Sequence, residues 1–314
     1  MKLSLVHPEL RRGYRLMRAA PVSPPWLLRL VQWAMPRLPE GSVRPGIRRE
    51  VVPAEPGGGV RVFTPSSGGN GSAVLWIHGG GMVIGAAAQD DDACQRLAER
   101  LDAVVVSAEY RLAPRHPYPA AADDCEAAWR WLLAQAPERG IDPARIALAG
   151  QSAGGGLAAT LALRLRDGGG VQPAAQLLIY PMLDDRTAAD RGLDAARHLL
   201  WSNRANRIGW TAYLGQAPGG DRVPEGAVPA RRSDLAGLPP AWIGVGDIDL
   251  FAAEDRAFAA ALSAAGVDTV FQTVPGAPHA FEVQNPRSSV ARAFSGDAAD
   301  WLRTRLGGEQ PGLG

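Results

Sequence analysis

Apolar side chains recur along this chain in short continuous runs rather than in strict alternation. Seven runs have strand length, at 60–64, 73–78, 103–109, 145–149, 175–180, 241–245 and 269–274. A strand with one wet face alternates apolar and polar, whereas a strand covered on both faces reads as an unbroken apolar run. Between the runs lie stretches with helical spacing, at 89–101, 120–136, 153–166, 250–265 and 289–306. In the fourth, Phe251, Phe258, Leu262 and Ala265 share one face, and Gly266 supplies a stop. Strands alternating with helices predict an α/β fold with a mainly parallel, doubly wound sheet. The Gly/Ser stretch 66–72 sits between two strand runs and predicts a hairpin or a short loop.

Two regions break that rhythm. Residues 1–45 carry Pro24-Pro25 followed by Trp26, Leu27, Leu30, Val31 and Ala34; residues 184–235 carry Trp201, Trp210 and Tyr213. Both place Trp and Leu at helical spacing. They predict a helical cap over one end of the sheet, where the pockets of open α/β sheets lie. Ordinary peripheral helices are the plainer alternative, and a helix at 26–35 lying on a membrane surface is a third.

Composition narrows the class. Hydrophobic residues are 46% of 314, too many for wholesale disorder. Lys plus Arg is 33 against Asp plus Glu at 32, and the longest Arg clusters are pairs, so no basic surface points to nucleic acid. Two cysteines, Cys94 and Cys125, exclude a disulfide scaffold and leave no Cys-x-x-Cys motif. Both fall among Ala and Leu on expected helices and read as buried free thiols. The first 18 residues hold Glu9 and five basic residues and lack the apolar core of a secretory signal. The longest charge-free apolar stretch, 72–89, contains His78-Gly79-Gly80-Gly81 and would make a poor helix, so no membrane span is expected. The expected compartment is the cytoplasm.

The chemistry gathers at strand ends. Gly150-Gln151-Ser152-Ala153-Gly154 follows one strand run and opens a helix. Small flanking residues permit the tight turn that lifts the Ser152 hydroxyl above the sheet, with the free N–H groups of a helix start beside it. His78-Gly79-Gly80-Gly81 follows another strand. Its glycines let successive N–H groups converge on one oxygen, as a tetrahedral acyl-transfer intermediate requires, each donor being worth about 3 kcal/mol. A phosphate loop is the rival, but neither the Gly-Lys-Ser/Thr signature nor dinucleotide spacing is present. His78 itself reads as a brace for this loop.

A serine nucleophile needs a base, and the base an orienting acid. On such a sheet the chain order is Ser, acid, His. His7, His78 and His116 precede Ser152, and His198 lies in the insert; His279 follows the last strand run, where the base belongs. The acid comes from Asp247 or Asp249, just after the run at 241–245. Asp184 and Asp185 also follow a strand but open the insert and rank below them.

These residues resemble the hormone-sensitive-lipase-like branch of the α/β-hydrolases, the bacterial family IV esterases. Four blocks match in order: His78-Gly79-Gly80-Gly81; Tyr110-Arg111-Leu112-Ala113-Pro114 with Pro117, Pro119, Ala120 and Asp124; Gly150 to Gly155; and Gly276-x-x-His279 with Phe281. The second is the most specific, and the resemblance covers roughly 60–306. It implies an α/β-hydrolase fold with a mostly parallel eight-stranded sheet flanked by helices. A cap from 1–45 and 184–235 would cover a catalytic domain of 46–183 and 236–314. It implies Ser152 as nucleophile, His279 as base, and the N–H groups of Gly80, Gly81 and Ala153 as oxyanion donors. Aligning 249–254 with the family's Asp-Pro-Leu-x-Asp-Glu favours Asp249 over Asp247. Leu250, Ala253 and Gln151 depart from the family's usual residues without removing a catalytic part.

The expected function is a serine carboxylesterase for small, uncharged, short- to medium-chain acyl esters, needing no metal or organic cofactor. Its partner is a small-molecule ester, with no nucleic acid and no stable membrane insertion; family members often dimerise, but no residue here fixes a dimer surface. Rival readings are an amidase, aryl formamidase, peptidase or lactone hydrolase on the same triad, a non-catalytic small-molecule receptor, or a peripheral membrane enzyme using residues 26–35.

Overall fold

In the computed structural model, which describes residues 1–15, 22–37, 41–54 and 58–307, all seven apolar runs are strands. An eighth precedes them. The strands are β1 (Ile47–Ala54), β2 (Gly58–Pro65), β3 (Ala73–Ile77), β4 (Val104–Ala108), β5 (Ile146–Gln151), β6 (Gln176–Ile179), β7 (Ala241–Gly246) and β8 (Thr269–Val274). They form one sheet in the order β1-β2-β4-β3-β5-β6-β7-β8. β2 runs antiparallel to both its neighbours, and the other pairs are parallel.

β1 escaped the sequence pattern for a physical reason. It is an edge strand, paired only with β2, and carries Arg48, Arg49, Glu50 and Pro53. Edge strands tolerate charge and proline, so no apolar run marks them. The 66–72 stretch is a crossing loop rather than a hairpin, because β4 lies between β2 and β3.

The helices are α1 (Arg11–Tyr14), α2 (Pro25–Ala34), α3 (Asp91–Leu101), α4 (Ala120–Gln135), α5 (Ala153–Gly168), α6 (Asp185–Ala189), α7 (Asn203–Leu214), α8 (Ala252–Ala264), α9 (Phe281–Gln284) and α10 (Ser289–Arg305). Two apolar cores explain the unbroken runs. Leu75 and Ile77 of β3 point to one core with Leu132, Leu157 and Phe258 of α4, α5 and α8. Val74 and Trp76 point to the other, with Cys94 and Leu101 of α3 and Phe294 and Leu302 of α10. Each such Val, Leu or Ile contributes about 1.5–3 kcal/mol by leaving water. Cys94 and Cys125 are both buried and unpaired with each other.

The register aligns the strand ends. Ile77 of β3 pairs across to Gly150 of β5, and Gly246 of β7 to Val274 of β8. The loops at 78–81, 247–249 and 275–279 therefore leave the same carboxyl edge as the turn at Ser152.

The described parts of the two irregular regions, 1–15, 22–37 and 41–45 of the first and 184–235, pack at this edge, and the rest of the first region lies outside the described residues. Val6, Leu10 and Tyr14 are buried in the core that holds Phe281 and Phe294, beside the His279 loop. Leu28 of α2 is buried in the other core, and Gln32 donates to the carbonyls of Val83 and Ala113, both at 2.8 Å. In α7, Gly209 stands against the carbonyl of Gly81 and Trp210 is wholly buried. Among the described residues no helix is long and apolar enough to cross a membrane.

Candidate active site

Ser152 is the N-cap of α5, with φ 55 and ψ −123. A serine in this region is strained by about 1–3 kcal/mol, which the surroundings must over-determine. They do so with backbone hydrogen bonds: Ser152 N–H to the Ile179 carbonyl at 2.9 Å, and Met182 N–H to the Ser152 carbonyl at 2.9 Å. The flanking glycines are set by close approach. A β-carbon at Gly154 would stand 2.0 Å from the Ile77 carbonyl oxygen, and one at Gly150 would stand 2.4 Å from that of Gly154.

His279 Nε2 lies 2.9 Å from Ser152 Oγ, and His279 Nδ1 lies 2.8 Å from Asp249 Oδ2. A carboxylate only accepts, so Nδ1 carries the proton and Nε2 is left to accept from the serine hydroxyl. Asp249 Oδ1 accepts the Phe251 N–H at 3.0 Å, which locks the carboxylate's rotation. All three side chains are almost fully buried. The imidazole is held edge-on by the rings of Tyr180 and Phe251, at centroid distances of 4.7 and 5.3 Å.

The choice between the two aspartates is geometric. Asp249 meets the imidazole, whereas Asp247 is exposed and accepts the Gly276 N–H at 2.6 Å, pinning the loop that leads to His279. Asp185 is buried in an ion pair with Arg231 at 2.6 Å, and Asp184 caps α6. The structure brings neither to the site.

The loop after β3 turns above Ser152. Gly80 and Gly81 have φ of 126 and 62, values open to glycine and strained for other residues. A β-carbon at Gly81 would stand 2.1 Å from the Trp201 ring, so Trp201 roofs this glycine directly. Among the described residues, the N–H groups of Gly80, Gly81 and Ala153 donate to no protein acceptor. They are therefore free for a ligand oxygen.

The Tyr-Arg-Leu-Ala-Pro block supports this loop. Tyr110 stacks on His78 at 4.1 Å and donates its hydroxyl to the His78 carbonyl at 2.9 Å. Arg111 binds Asp124 through its Nε and Nη2, both at 2.8 Å, and its own N–H donates to the same carboxylate. Ala113 N–H donates to the Met82 carbonyl at 2.9 Å. His78 is fully buried, with Nδ1 2.8 Å from the Gly79 carbonyl, which matches its expected role as a brace.

Sequence reasoning missed a supporting network. Trp76 Nε1 donates to Asp90 at 2.8 Å, Gln151 donates to Asp90 at 2.8 Å, and Tyr180 donates to Gln151 at 3.1 Å. Tyr180 also bonds Glu282, whose carboxyl is pushed up to about 7, mainly by burial. Tyr14, from the N-terminal segment, donates to the His279 carbonyl at 2.5 Å. Only Gln151 carried a local signal, as a departure from the family pattern. The others are distant in sequence and meet through the fold.

Of the remaining histidines, the His116 N–H donates to the Leu112 carbonyl, and the His7 N–H donates to the Gly276 carbonyl at 2.8 Å, in the loop that leads to His279. His198 lines a cavity of about 1310 Å³ between the 22–28 segment and residues 191–215. Ser152 does not line this cavity; His198 is its approach to the triad, close enough for the charges of Asp249 and His279 to act on it.

Residues 74–283 match the family model for the alpha/beta hydrolase fold. The carboxylesterase NlhH of Mycobacterium tuberculosis is 38% identical over 228 residues, covering 71% of this chain and 70% of that protein. An ethyl acetate hydrolase of Pseudomonas putida is 34% identical over 216 residues, 67% of this chain and 66% of that one. The solved structure of a bacterial heroin esterase superposes with a TM-score of 0.87 at 33% identity, covering 98% and 99% of the two chains. The chain belongs to the alpha/beta-hydrolase family. Within it the chain falls in the hormone-sensitive-lipase-like branch, the bacterial family IV esterases.

Proposed function

We propose that the chain is a serine carboxylesterase that hydrolyses short- to medium-chain acyl esters through an acyl-enzyme on Ser152. Family membership makes it a carboxylic ester hydrolase. The observation that carries the finer reading is the continuous hydrogen-bonded chain from Asp249 through His279 to Ser152.

Ser152 Oγ attacks the ester carbonyl as His279 Nε2 takes its proton. Asp249 keeps the imidazole in the right tautomer and stabilises the imidazolium. The carbonyl oxygen becomes an oxyanion, which receives the N–H groups of Gly80, Gly81 and Ala153. Collapse breaks the bond to the alkoxy oxygen, and His279 returns the proton to the leaving alcohol. Water, deprotonated by His279, then attacks the acyl-enzyme; the acid departs and the Ser152 hydroxyl is restored. No step calls on a metal or an organic cofactor.

Residues 1–45 and 184–235 act as the cap, and the remainder as the catalytic domain. The roof of Trp201 on Gly81 supports a confined acyl site and hence short chains. The ethyl acetate hydrolase, a relative named for an ester with a two-carbon acyl group, supports the same preference. A cytoplasmic location is part of this reading, supported by two buried free thiols.

The test is hydrolysis of p-nitrophenyl esters from acetyl to palmitoyl by the wild type and Ser152→Ala. A Ser152-dependent maximum at short or medium chains is expected. A maximum at long emulsified chains overturns the chain-length assignment. Turnover that survives Ser152→Ala overturns the mechanism. A Ser152-dependent preference for anilides or lactones moves the assignment to an amidase or lactone hydrolase.

A further inference from the structure

The cavity beside the triad has an unusual charge. Its wall holds Arg191, Arg197, Arg204 and Arg207 against one carboxylate, Asp194, in a chain whose basic and acidic residues number 33 and 32. Asp194 is already engaged. It accepts from Arg207 at 2.9 and 3.0 Å and lies 3.5 Å from Arg191. The guanidinium groups of Arg197 and Arg204 make no hydrogen bond or ion pair among the described residues. His198 on the same wall buries its Nδ1 without a partner among those residues. Burial pushes this histidine below its usual range, so near neutral pH it adds no charge, and the positive field there comes from arginine and from the Met1 ammonium, which donates to the Arg197 carbonyl at 2.8 Å. The remainder of the wall is largely apolar, while Arg191, Arg197 and Arg204 reach solvent at its rim, so salt screens the field there.

This cavity adjoins the reacting centre. Trp201, which roofs Gly81, is three residues from His198.

We propose that the cavity is an anion subsite, and that the preferred esters carry a carboxylate remote from the scissile bond. The proposal rests on the ester-hydrolase reading above and names a substrate class for it. An unpartnered guanidinium offers a carboxylate two parallel N–H donors at little desolvation cost. A neutral substrate of the same shape gains nothing from it.

The test uses two matched pairs. On the alcohol side, 4-acetoxybenzoate is compared with 4-acetoxybenzamide; on the acyl side, mono-4-nitrophenyl glutarate is compared with 4-nitrophenyl pentanoate. The readout is the ratio of kcat/KM within each pair, for the wild type and for the R197Q/R204Q double variant. In at least one pair the ratio falls about tenfold in the double variant, mainly through KM, as expected for losing two half-screened charges. High salt lowers the wild-type ratio in the same pair. The neutral members report that the variant is folded. Ratios that are the same in both proteins, and insensitive to salt, overturn the proposal.

A second measurement separates this from failure of the esterase reading. In Ser152→Ala, 4-hydroxybenzoate raises Tm more than 4-hydroxybenzamide does, or glutarate raises it more than pentanoate does, if the subsite exists. Equal shifts within both pairs overturn it, whatever the wild type hydrolyses.

Discussion

Two layers of the molecule meet at Gly81 and are held together differently. Below it, Trp76, Asp90, Gln151, Tyr180 and Glu282 are linked in one run of hydrogen bonds beside the Ser152–His279–Asp249 chain. Above it, the insert buries the Asn206 amide, the Trp201 and Trp210 indole N–H groups and the Tyr213 hydroxyl with no hydrogen-bond partner among the described residues. Apolar contact holds these rings, with Trp201, Trp210, Tyr213 and Leu214 in the core shared with α5 and β3, while Tyr118 bonds to the Tyr213 and Glu225 carbonyls and Arg232 bonds to Asp167 to tie the insert to the rest of the fold. Directional bonds fix atoms to within a few tenths of an ångström, which proton transfer needs. Apolar contact is non-directional, so the Trp201 ring, whose Nε1 has no partner among the described residues, can shift over different substrates without breaking a hydrogen bond of its own.

The largest test of this contrast lies in the lower layer. Asp249→Asn lowers kcat about 10⁴-fold, because the amide holds the wrong tautomer of His279. Asp247→Asn, at a side chain that accepts the Gly276 N–H, lowers kcat less than about tenfold. Equal losses in p-nitrophenyl butyrate assays would remove Asp249 from its role.

Next is the seam itself. Gly81→Ala drives a methyl into the Trp201 ring and strains a backbone at φ 62. It lowers kcat by about 10²-fold or more through the displaced N–H donors. Adding Trp201→Ala recovers part of that loss if the clash is real. Strict additivity of the two losses would place Trp201 elsewhere in solution.

A smaller effect is expected at the root of the insert. Glu254 of α8 accepts the Leu183 N–H at 2.7 Å, and burial raises its carboxyl from 4.5 to about 8. The folded state thus holds this proton more tightly than the unfolded state. Its contribution to stability is present below pH 4.5 and is lost as pH rises towards 8. Glu254→Gln keeps the acceptor and cannot titrate. The wild type therefore loses more Tm than Glu254→Gln between pH 5 and 8 in calorimetry. Parallel losses would mean that Glu254 is ionised throughout.

The smallest effect separates the layers by sign. Asn206→Leu replaces an unpaired buried amide with an apolar group of similar size and raises stability by about 1 kcal/mol. Gln151→Leu breaks the link between Asp90 and Tyr180 and lowers it by about 1 kcal/mol or more. Two destabilised variants in denaturant titration would erase the distinction.

The legible parts of the sequence were those with a local cause. Strands covered on both faces need unbroken apolar runs, so seven of eight were readable, while edge strand β1 was not. The turn at Ser152 needs Gly150 and Gly154 because backbone passes within 2.4 Å of any β-carbon there. The Tyr110–Pro114 block was legible only as a family mark. Its physical reason, a stack on His78 and a clamp on Asp124, appears once the loops are folded together. Residues 1–15 were expected as cap, yet Tyr14 reaches the His279 carbonyl, a contact across 265 residues that no local pattern encodes.

The sequence by itself determined the alternation of strands and helices, the turn that raises Ser152, the glycine loop, and the position of His279 after the last strand. Each follows from sterics or hydrophobic periodicity acting over a few residues. Only the tertiary structure decided that Asp249 rather than Asp247 meets the imidazole, that Trp201 closes over Gly81, and that four arginines gather around one cavity. Those outcomes depend on which strand ends and helices become neighbours. Strand order β1-β2-β4-β3-β5-β6-β7-β8 is set by the packing of two cores at once, a property of the whole chain rather than of any segment.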